Sequence, residues 1–163
     1  MLTPPARWRG KGLLVDTNIL ILYAVGRLDP HLIAKHKRTS NFTAEDYRFL
    51  KQLLRGFPRL ATTPNVLTEV SNLLDQIGGA PRARLQTVLG GLVEVLDERY
   101  VPSIDATRAE EFQRLGLADS SILLLARQDF LVLTDDLPLY LALLRRGIDA
   151  INFHHVRRAA GWG

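Results

Sequence analysis

Two short apolar runs in this chain stop at aspartate. Gly12-Leu-Leu-Val leads into Asp16, and Phe130-Leu-Val-Leu-Thr leads into Asp135-Asp136. A brief aliphatic and β-branched run bounded by a polar turn reads as a strand buried on both faces, the habit of parallel sheets. Parallel sheets need helical crossovers, which confines the chain to α/β architectures. Ligands of open α/β sheets bind beyond the carboxyl ends of the strands. The acids therefore fall where a site belongs. A third acid, Asp119, opens the apolar run that ends at Ala126. Clustered carboxylates repel by about 4 kcal/mol per pair at ~4 Å and an effective dielectric near ~20. A fold that gathers them needs protons or a cation to relieve the repulsion.

The rest of the chain follows the same alternation. The expected order is a strand over 12–17, a helix over 18–25 and a basic loop over 26–42 with one helical turn. Thr43 then caps a helix to Leu54, with Asp46 completing a capping box. Leu60–Thr62 reads as a short strand, and Thr63-Pro64 as the cap and first turn of a helix that stops at Gly78-Gly79. A short helix over 81–89 precedes an alternating Leu92–Leu96 strand. Helices over 103–115 and 118–128, a strand over 130–134, a helix over 137–146 and a final strand over 150–153 complete the reading. The expectation is one domain over 1–163: a three-layer α/β/α sandwich on a central parallel sheet of about five strands. Residues 1–11, with Pro4-Pro5 and Arg7-Trp8-Arg9, read as a flexible arm.

Composition narrows the chemistry. The 163 residues contain no cysteine, which removes zinc–thiolate sites, iron–sulfur clusters and a cysteine nucleophile and fits a reducing cytoplasm. The apolar stretches are too short or too interrupted to span a membrane or to form a signal peptide. There are 21 Lys and Arg against 17 Asp and Glu. With Asp16, Glu69, Asp119, Asp135 and Asp136 set aside, the balance is 21 against 12: an acidic hollow in a basic body, suited to a polyanionic substrate.

Each acid also has a plain reading. Asp16 and Asp136 stand where helix caps stand. Asp119 suits the positive end of a helix. Glu69 sits beside the apolar stripe of its helix, as a solvated boundary residue or as a site ligand. The joint pattern says more, because acids from distant segments meet at one side of one sheet. Hard oxygen ligands without histidine or cysteine suit Mg²⁺ or Mn²⁺, ions that activate water and neutralise charge on a phosphoryl group.

Four segments in order, Leu14–Asn18, Thr63–Val70, Leu117–Ser120 and Val132–Asp136, carry a resemblance to the PIN (PilT N-terminus) domain family of metal-dependent ribonucleases. They span most of the chain, from about residue 12 to 153. The resemblance implies Mg²⁺ or Mn²⁺ held directly or through water by Asp16, Glu69, Asp119 and Asp136. Asp135 fills the family's variable position as a helper or a bystander. It implies a water nucleophile, RNA as substrate, and Thr17, Asn18, Thr134 and Ser120 as groups that position the acids. It also implies a toxin role of the VapC type, with an antitoxin partner and a homodimer. The 53 residues from Asp16 to Glu69 depart from the compact toxins. The alternative is an inactive PIN-like module that binds RNA or protein. Basic residues of 26–42 and Arg145-Arg146 are expected to hold the RNA backbone. His154, His155, Arg157 and Arg158 read as a solvated tail, with contact to phosphates as the alternative. Leucines of the 137–144 helix serve either the core or a dimer. No nucleotide-binding glycine motif is present.

Overall fold

The computed structural model describes residues 5–8, 10–77, 79–128 and 130–159. Its centre is a five-stranded, all-parallel sheet: β1 (Gly12–Val15), β2 (Leu60–Thr62), β3 (Asp97–Glu98), β4 (Phe130–Thr134) and β5 (Ala150–Asn152). The spatial order is β3-β2-β1-β4-β5. The chain winds outward from β1 to β3, returns to the other side of β1, and winds outward again. Between β1 and β4 the order reverses, and in this architecture the crevice opens at that point. Leu13 sits opposite both Leu60 and Leu131, and every residue of β1 and β4 is buried. This is why both runs are unbroken rather than alternating.

Helices cover both faces of the sheet. On one side lie α1 (Thr17–Leu28), α2 (Ala44–Leu54), α3 (Pro64–Leu74) and α4 (Gly79–Val93); α1 packs against the other three. It is apolar nearly all round and buries eight of its residues, as a helix wedged into a core must. Gly26 lets it approach α2: a Cβ there would meet the Tyr47 ring at 2.4 Å. The other side holds α5 (Ser103–Thr107), α6 (Phe112–Ala126) and α7 (Leu137–Arg145). The Thr43–Asp46 capping box and the Thr63 cap with Pro64 behind it form as their local chemistry dictates.

Four expectations are corrected. Leu92–Leu96 is not a strand: α4 runs to Val93 because Leu85, Leu89 and Leu92 form one buried stripe, and the strand is displaced to Asp97–Glu98. Residues 26–28 extend α1; the remainder is the expected loop with one helical turn, Pro30–Leu32, but it is packed down, with Ile33, His36, Thr39 and Phe42 buried. The tail is an ordered helix, α8 (Phe153–Ala159), with Phe153 fully buried against Phe42 and Phe49 while His155 and Arg158 stay exposed. The Arg157 guanidinium reaches the fully buried Asp46 carboxylate at 2.7 Å and ties α8 to α2. Of the arm expected over 1–11, residues 1–4 and 9 lie outside the described residues. Ala6–Trp8 is a 3₁₀ turn, and Trp8 packs against the core. Gly78, half of the expected Gly78-Gly79 stop, also lies outside them.

Candidate active site

Asp16 leaves the end of β1 and is 3% exposed. Its backbone N–H still donates to Leu133 across the sheet, so the residue is held as if β1 ran one step further. One carboxylate oxygen accepts from the Thr17 N–H at 2.6 Å, capping α1. The other accepts from the Thr134 hydroxyl at 2.5 Å. That hydroxyl itself accepts the Asp136 N–H at 2.9 Å, which orients it toward Asp16. The ends of β1 and β4 are thus stitched together by one aspartate and one threonine.

The other acids stand around this stitch. The Thr17 hydroxyl donates to Glu69 at 2.7 Å, so α1 holds a side chain of α3 at the mouth of the crevice. The Asn18 amide donates to Asp135 at 3.4 Å. The second Asp135 oxygen is buried without a hydrogen-bond partner. Asp136 caps α7, accepting the Leu139 N–H at 2.8 Å through one oxygen. Asp119 arrives from α6 after a break at Gly116, whose φ of 82° and ψ of −175° interrupt the helix. It sits in the first turn after that break. Ser120 beside it is fully buried, with a hydroxyl that has no partner. The neighbouring Ser121 hydroxyl pairs with Thr63 at 2.8 Å and ties α6 to the start of α3.

The electrostatics report the crowding. Burial, then the negative charges of Asp16, Asp136, Glu69 and Asp135, push the Asp119 carboxyl up from 3.8 to about 8. Burial pushes Asp16 up to about 7; the Thr134 hydrogen bond opposes the rise, and the charges of Asp135 and Asp136 add to it. Asp135 is raised as well, by burial first. Two carboxyls therefore exchange protons near neutral pH, a property concentrated at functional sites.

All five acids named from the sequence meet in this crevice. Among the described residues, however, no three carboxylate or imidazole side chains are already closed around a point that could hold a metal. The donor set is nonetheless chemically apt. It is all hard oxygen, and it includes the partnerless buried oxygen of Asp135. Mg²⁺ keeps several waters and takes only one or two carboxylates directly, so a closed cage is not required.

One expected contributor lies elsewhere: Arg146 is committed to Glu111 through two hydrogen bonds at the far end of α7. The Asp135 flank instead opens into a hollow of about 500 Å³ whose lining includes Asn152, His154, His155, Arg158 and Arg157, the last paired with Asp46. Tyr100, absent from the sequence expectations, lies two residues beyond β3 and lines a second hollow beside Glu69. The misplaced third strand hid it. The chain matches no known family model and no curated protein. No helix among the described residues is long and apolar enough to cross a membrane.

Proposed function

We propose that this chain is a Mg²⁺- or Mn²⁺-dependent ribonuclease of the PIN kind, hydrolysing RNA phosphodiesters at the carboxyl ends of β1 and β4. The observation that carries the reading is the convergence of five acids from four segments on one crevice, where burial and then the charges of the other four push the Asp119 carboxyl up. A fold that holds such a cluster at its topological switch point is built to receive positive charge. Asp16, Asp119, Asp135 and Asp136 would hold the ion, with Glu69 reaching it through water. The ion would supply Lewis-acid neutralisation of the charge that builds on the phosphoryl oxygens. Thr134 and Thr17 fix Asp16 in one rotamer. Glu69, exposed and anchored by Thr17, orients the attacking water. The His155 and Arg158 flank draws the polyanion toward the crevice.

The test is cleavage of a labelled single-stranded RNA by purified protein with Mn²⁺, beside Asp16→Asn, which keeps the shape and removes the charge. Intact RNA with the wild-type chain, or equal cutting by the variant, ends the reading. The same assay separates the alternative, an inactive RNA- or protein-binding module. RNA binding unchanged by chelator and by Asp119→Asn, with no cleavage, would select it.

A further inference from the structure

We infer that the hollow beneath Tyr100 is a nucleobase subsite, which takes one unpaired base of the RNA next to the acidic crevice. The inference rests on the nuclease reading for the identity of the strand. The hollow measures about 420 Å³, inside the roughly 300–1,000 Å³ span of small-molecule sites. Two of its walls come from the segments that carry the acids. Along α3, Asn65, Glu69 and Asn72 face it at helical spacing. From α6, Leu117 and Ala118 lead directly into Asp119. A base lodged here lies next to the crevice, one nucleotide's reach from a phosphate placed among the carboxylates.

The lining selects a neutral planar group. No Lys or Arg among the described residues contributes to it, and Glu69 at its rim repels anions. A phosphate is therefore unwelcome here, in contrast to the His155 and Arg158 flank on the opposite side of the acids. Val101 and Leu117 give an apolar floor, while the Asn65 and Asn72 amides offer donors and acceptors suited to base edges. Tyr100 is 78% exposed, an aromatic residue left to solvent two positions past the carboxyl end of β3. Bases stack on such rings without sequence preference, and amides then add discrimination. The strand thus runs from a neutral, aromatic side across the acids to a basic side.

The probe is a short single-stranded RNA carrying one 2-aminopurine, titrated with the full chain in EDTA so that nothing is cut. Stacking quenches the fluorescent base. Wild type and Tyr100→Phe are expected to quench it. Tyr100→Ala is expected to weaken binding roughly 5- to 150-fold, the span equivalent to one base–aromatic stack, with quenching lost. Mn²⁺ affinity should be equal in all three proteins, because Tyr100 is not one of the groups proposed to hold the ion. No quenching with wild type, or equal quenching and affinity with Tyr100→Ala, overturns the subsite. Adding Mn²⁺ to the same RNA tests the chemistry separately: quenching without cleavage upholds base binding and removes the nuclease reading.

Discussion

Replacing Asp119 by asparagine should make the metal-free protein more stable at alkaline pH, although it removes a group proposed to hold the ion. The sign follows from the direction of the shift. A carboxyl raised from 3.8 to about 8 binds its proton more tightly in the fold than in the unfolded chain. Its stabilising contribution is complete below about pH 4 and is lost as pH climbs toward 8. One unit is worth ~1.36 kcal/mol, so the full displacement sets a ceiling near ~5 kcal/mol at pH 8. Asp16 shares the repulsion, and Asp119→Asn is expected to gain about 2–5 kcal/mol there. For a chain of this size that raises the melting temperature by roughly 5–15 °C. The gain should shrink toward zero near pH 4. The buried His36 and the half-buried His154, whose pKa values are lowered by burial, titrate alike in both proteins and cancel in the difference. Scanning fluorimetry in EDTA at a series of pH values measures it directly. Repeating the series with Mn²⁺ should raise the wild-type midpoint at pH 8 and leave the variant unmoved. A variant less stable than wild type at pH 8, or a difference independent of pH, would refute the electrostatic reasoning.

Three further outcomes follow from the same geometry. Protons compete with metal for Asp16 and Asp119, so Mn²⁺ affinity should climb steeply between about pH 6 and pH 8, with proton release seen by calorimetry in two buffers; a flat profile excludes these carboxyls as ligands. Arg157→Ala strands the buried Asp46 and should cost about 3–5 kcal/mol in urea unfolding; a loss under about 1 kcal/mol would show the pair behaving as a surface one. Gly26→Ala drives a methyl into Tyr47 and should destabilise by about 1–3 kcal/mol despite its better helix propensity, and a more stable variant would mean that Tyr47 yields freely.

What could be read ahead of the coordinates was local. The runs before Asp16 and Asp135 announce buried strands because four or five apolar residues between polar turns have no other economical place. Thr43 with Asp46, and Thr63 with Pro64, announce helix starts because the bonds they make lie within three residues. Leu92–Leu96 misled because its alternation coincides with the last turn of a helix whose buried stripe began at Leu85. The tail misled because the contact that orders it, Arg157 to Asp46, spans 111 residues of sequence. Within the site, the acids were legible as strand and helix termini. Their hydrogen bonds to Thr17, Asn18 and Thr134 were foreseeable as neighbours but not as partners, since Thr17 to Glu69 depends on how α1 crosses α3.

The interruption at Gly116 has a consequence for the charge balance. A continuous α6 would carry Asp119 in mid-helix, where the backbone N–H groups are consumed by the preceding turn. Because the backbone swings through a left-handed φ there, a fresh amino end begins just ahead of Asp119. Its unspoken-for amides bring a fraction of a positive charge to the most crowded carboxylate in the molecule. One residue without a side chain thereby places a permanent, metal-independent counterweight against five negative groups.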